Sequence, residues 1–131
     1  MAELKELTKV LQKNSPKVFF STLFEVSNAV KQAHLMAVGK KFSTHEALGE
    51  FYDKFNGQLD RFIETYFGKY GVKEFEIPGC KVNDIVSFLR NRVNYFESCY
   101  DIFKEGFLQN QLDAIIEECY QLIYKLENLN G

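Results

Sequence analysis

A chain of 131 residues is about one domain's worth of protein. Its hydrophobic fraction of 46%, with thirteen Phe and seven Tyr, supplies enough large apolar side chains to exclude intrinsic disorder as the main state. Sixteen basic and eighteen acidic residues leave a net charge of −2, without the basic footprint that binding to nucleic acid requires.

The first expected element is a short amphipathic helix over Glu3–Gln12, stopped at Asn14-Ser15-Pro16. It mixes charge with Leu4, Leu7 and Leu11, so it lacks the apolar core of a signal peptide. Lys5, Lys9, Lys13 and Lys17, spread among acids and Leu, read as a solvated face. Ser15 is placed to cap the next helix, with Pro16 in the first turn, where a missing N–H costs least. That helix carries Phe19, Leu23, Val26, Val30, Ala33 and Ala37 at alternating spacings of four and three, the stripe of a buried face, and ends at Gly39-Lys40-Lys41. Ser43 followed by Glu46 predicts a capping box that opens a second long helix, striped by Leu48, Tyr52, Phe55, Leu59, Phe62 and Tyr66 and ending near Gly68 or Gly71.

From Val72 to Lys81, with Pro78-Gly79, the pattern reads as an extended connection. A third helix is expected from about Asn83, with Ile85, Phe88, Leu89, Val93, Phe96 and Tyr100 inward, interrupted at Gly106. A fourth is expected from about Asn110 to Leu126, with Leu112, Ile115, Ile116, Cys119, Leu122, Ile123 and Leu126 inward. Four long amphipathic helices predict an all-α four-helix bundle forming a single domain over residues 1–131. Ten to twelve extended residues reach about 35–40 Å, the length of a helix of about 25 residues, so the long connection can cross the whole bundle and make the second and third helices parallel.

Three cysteines, Cys80, Cys99 and Cys119, with no CxxC spacing indicate neither a disulfide framework nor a structural zinc site and favour a reduced, intracellular protein. No run approaches the roughly 20 apolar residues of a membrane span, so a soluble, cytoplasmic protein is expected. No nucleophile context surrounds Ser21, Ser27, Ser43 or Ser87, and no glycine-rich phosphate loop is present.

The chemistry-bearing residues lie around the first hairpin. His34 stands near the end of the first long helix and His45 at the start of the second. On a helical wheel His45, Gly49, Asp53, Asn56, Asp60 and Glu64 form a row beside the apolar stripe. Imidazole with carboxylate suits iron, zinc or manganese, and Asp60 and Glu64, one turn apart, can point at one ion. An acidic helix also collects Asp and Glu on any polar face, and His34 near a helix C-terminus interacts well with the dipole.

The stretch from Ala33-His34 through Gly39 and Phe42 to His45-Glu46, followed by Phe51-Tyr52-Asp53 and Asp60-x-x-x-Glu64, resembles the ferroxidase segment of Dps-type mini-ferritins. The resemblance covers residues 16–70 well and the last helix loosely. It implies a ferritin-like bundle with the long crossover between the second and third long helices. It further implies iron held between two subunits, by His34 and His45 from one chain and Asp60 and Glu64 from its mate, with oxidation of Fe(II), preferentially by peroxide. A homo-oligomer is implied, from a dimer to a hollow dodecamer. The sequence departs from the family where Gly49 replaces an acid one turn after His45, with Asp53 a further turn along as a substitute ligand, where Leu35 replaces a Trp, and where a lysine-rich tail is lacking. The alternative in a different class is a non-catalytic helical bundle that oligomerises or binds a partner protein through its helix faces.

Overall fold

The computed structural model describes residues 15–37 and 42–128. Helix α1, Pro16–Met36, begins where its cap chemistry sets it: the Ser15 hydroxyl accepts from the Val18 N–H at 3.3 Å, and Pro16 occupies the first turn. Helix α2 is Phe42–Tyr70. Ser43 lies in its first turn. Gly71, at φ +90°, closes α2 by donating its N–H to the Phe67 carbonyl at 2.8 Å, a conformation open to glycine because it lacks a Cβ. The expected Glu3–Gln12 helix and the Gly39-Lys40-Lys41 stop lie outside the described residues.

Helix α3, Ile85–Ser98, is capped one residue later than expected, by Asp84. The Asp84 carboxylate accepts from the Ser87 N–H at 3.2 Å and from its hydroxyl at 3.0 Å. It also ends well before Gly106. The Cys99 N–H turns back to the Phe96 carbonyl, and a 3-10 turn, Tyr100–Ile102, drops Phe103 into the core. Helix α4, Gly106–Asn128, starts four residues earlier than expected. The Glu105 carbonyl takes the N–H groups of Leu108 and Gln109, and Leu108 is fully buried. No strand occurs among the described residues.

Contacts along each helix fix the connectivity. Going up α1, Phe20 meets Tyr66, Ser27 meets Asn56 and His34 meets Gly49, so α2 runs antiparallel to α1. The connection after Gly71 then follows α1 back. Phe75 packs on Phe20 and Phe24, the Ser21 hydroxyl donates to the Glu76 carbonyl at 2.6 Å, and Lys81 and Val82 lie beside Gln32 and Met36. Helix α3 starts there and descends α1 through Arg92 with Glu25 to Phe96 with Phe19. It is thus parallel to α2, as the reach of the connection predicted. Helix α4 returns antiparallel to both, through Lys69–Glu105, Lys54–Glu118 and Arg90–Glu127. The packed neighbours are α1 with α2 and α3, and α4 with α2 and α3, which places α1 diagonally from α4.

One core joins all four helices. Its densest part is aromatic: Phe19 lies 5.0 Å from both Phe62 and Phe103, and Phe62 lies 4.8 Å from Phe103, in tilted or edge-on contacts. Such geometry sets the positive ring edge on the negative face, worth about 0.5–1.5 kcal/mol per pair beyond burial itself. The expected inward residues are buried except Tyr52, Tyr66, Ala33, Ala37, Ile85, Phe88, Tyr100, Ile116 and Leu126, which are half-buried at its margin.

Candidate functional site

His34 and His45 are brought face to face across the α1–α2 hairpin. Their rings stack with centroids 3.9 Å apart and planes 16° from parallel. Each reaches over to the other's backbone: His34 Nδ1 lies 2.8 Å from the His45 carbonyl oxygen, and His45 Nδ1 lies 2.8 Å from the His34 carbonyl oxygen. A carbonyl only accepts, so each Nδ1 carries the proton and donates it. The hairpin is stapled by two reciprocal hydrogen bonds, and in the neutral form each Nε2 keeps its lone pair. A metal-binding histidine characteristically has this arrangement, with one nitrogen anchored to a carbonyl and the other presented to the ion.

Gly49 is part of the same structure. A Cβ at this position would stand 2.7 Å from Cε1 and 3.1 Å from Nδ1 of His34. The glycine that reads in sequence as a missing acid is the surface on which the His34 ring lies. Below it, half-buried Asn56 accepts from the buried Ser27 hydroxyl at 2.6 Å, and the Lys31 ammonium sits 4.6 Å from the Tyr52 ring centroid. The polar row expected from the wheel therefore divides. His45, Gly49 and Asn56 face α1, while Asp53, Asp60 and Glu64 stand on an exposed ridge of α2.

Within one chain the histidines and the acids stay apart. His45 and Asp60 are fifteen residues apart on one straight rod, which is about 22 Å of helix rise. Among the described residues no group of three or more His, Cys, Asp or Glu side chains converges on a point where an ion would sit. The stacked rings do not converge either. Imidazole lone pairs lie in the ring plane, so two nearly parallel rings address separate positions. Within one chain, each imidazole therefore stands as a single potential ligand.

A family of unknown function, DUF5856, matches residues 34–126. The chain belongs to that family. The match in this DUF5856 protein begins at His34 and takes in His45, Gly49 and the α2 acids, so the stapled hairpin and its ridge lie within the family's span. No curated protein and no solved structure matches the chain.

Elsewhere, titrating groups are held by structural partners. The Tyr70 hydroxyl and then the Lys69 ammonium hold the Glu105 carboxyl below its usual value, tying the end of α2 to the start of α4. Burial pushes the Cys119 thiol up to about 12 and raises the Cys99 thiol, so neither is a nucleophile at neutral pH. Sequence reasoning did not find the staple or the role of Gly49. Its only trace is the pairing of a histidine before a short loop with one after it.

Proposed function

We propose that this DUF5856 protein is a ferritin-like bundle that binds Fe(II) at a site shared between two copies and oxidises it. His34 and His45 of one copy each supply one neutral Nε2 ligand, at two neighbouring positions, and Asp60 and Glu64 of the other supply carboxylates to them, with Asp53 on the same ridge. The observation that carries this reading is the double Nδ1 anchor, which leaves two imidazole lone pairs as the free ligand atoms of the hairpin. The parallel α2 and α3 with a full-length crossover support the ferritin-like assignment, together with the likeness of residues 16–70 to mini-ferritins. The 22 Å between His45 and Asp60 requires the second chain. Two Fe(II) ions would give one electron each to hydrogen peroxide, which with two protons breaks its O–O bond and leaves as two waters, and the Fe(III) is stored or kept from further reaction. The homo-oligomer acts in the cytoplasm, where ferrous iron and free thiols coexist.

Anaerobic addition of ferrous iron followed by peroxide or air tests this. Ferric absorbance should grow faster than the protein-free background and return to that background in His34→Ala and Asp60→Ala. A wild-type rate equal to background would overturn it.

A second reading is favoured by the stacking and by Gly49. If the histidines serve only as a hairpin staple, the chain is a non-catalytic bundle acting through its helix faces. His34→Ala would then lower stability, and added iron would leave the melting temperature of the wild type unchanged.

A further inference from the structure

The outward face of α4 is covered by no other element among the described residues, although its Tyr120 hydroxyl donates across to the Glu97 carboxylate of α3 at 2.7 Å. Ile116, Tyr120 and Tyr124 recur along it one turn apart, with Tyr120 43% and Tyr124 68% exposed, and they line an open concavity of about 550 Å³. Tyrosines supply large contact area at low entropy cost and are enriched in protein interfaces. The face also has a charge polarity. Asp113 and Glu117 lie toward its N-terminal end and Gln121 and Lys125 toward its C-terminal end, Asp113 and Lys125 being twelve residues apart, or about 18 Å. Asp113 uses one oxygen to accept from the Tyr100 hydroxyl at 3.0 Å, leaving the other unengaged. Lys125 pairs with no acid among the described residues.

A strip whose N-terminal half carries the acids and whose C-terminal half carries the amide and the base, with tyrosines alongside, is complementary to itself reversed. We infer that α4 is an isologous self-association surface whose occupant is a second copy of the chain laid antiparallel. Asp113 of each copy then meets Lys125 of the other at both ends, Glu117 meets Gln121, Tyr120 is covered near the middle and Tyr124 toward each end, and the two helix dipoles oppose. Because α4 is diagonal to α1, this surface is separate from the α1–α2 hairpin and its proposed shared site. A chain with two such surfaces builds assemblies larger than a dimer.

Light scattering on the full chain across a concentration series tests the inference, using Asp113→Lys, Lys125→Asp and the double reversal, with helicity checked by circular dichroism. Each single reversal should weaken association about tenfold, and the double reversal should restore it. Unchanged association in the single variants, or no recovery in the double, would overturn the inference. So would a wild type that stays monomeric at every concentration while the reversals shift its melting temperature, because residues 1–14 of the same chain would then be the occupant.

Discussion

Gly49 and Gly57 lie on the same helix, two turns apart, and differ in what their missing side chains leave behind. A Cβ at Gly57 meets nothing within 4 Å, whereas at Gly49 it strikes the His34 ring. Gly57→Ala should therefore stabilise the protein by about 1 kcal/mol, the intrinsic preference of helix for alanine. Gly49→Ala should destabilise it, because the ring must leave hydrogen bonds worth about 0.5–1.5 kcal/mol each. Thermal melts of the two variants check this, and a Gly49→Ala protein as stabilised as Gly57→Ala would contradict the staple. The cysteines offer a second test. Cys99 and Cys119 are fully buried and Cys80 is half-exposed, so iodoacetamide on the native protein should label Cys80 alone and reach the others only in denaturant. The histidines were legible in the sequence as candidates because their residue type announces ligand chemistry. Their reciprocal bonds were not, since these are tertiary contacts across a turn whose geometry no spacing encodes.

Among the elements, α3 is the shortest of the four helices and begins after an extended connection, so its start depends on Asp84. The backbone N–H of Ser87 first, and its hydroxyl second, hold the Asp84 carboxyl below its usual value. A carboxyl with a depressed folded pKa contributes stability that is present above its unfolded pKa and lost as pH falls through the folded value. Asp84→Ala should accordingly lower the melting temperature at neutral pH. Its deficit against wild type should shrink as pH drops below about 4, and a deficit independent of pH would contradict the cap. Phe103 ties the turn after α3 to Phe19 and Phe62. Phe103→Ala should cost about 3–5 kcal/mol in chemical denaturation, and a loss below 1 kcal/mol would show that the turn is not anchored there. The helix start at Pro16 was readable, and the end of α2 was narrowed to Gly68 or Gly71, because cap chemistry is local. The early stop of α3 was not, because the apolar stripe runs on past Ser98 and only packing decides that Phe103 enters the core on a 3-10 turn.

At the scale of the whole molecule, connectivity was legible from one length, that of the stretch between α2 and α3. A connection that long has little reason to exist in an up-down-up-down bundle, and Phe75 and Glu76 lay it along α1. How chains meet was not legible, since interfaces depend on surfaces that periodicity reports only as polar. The proposed site exists only between copies, so its two halves should complement. The His34→Ala/His45→Ala variant keeps the acids, and the Asp60→Ala/Glu64→Ala variant keeps the histidines. Mixed after dissociation and reassembled, each inactive alone, they should regain roughly a quarter of the wild-type rate of ferrous iron oxidation, because half the pairs are mixed and one site in each mixed pair is intact. A mixture as inactive as its components would contradict an iron site shared between two chains.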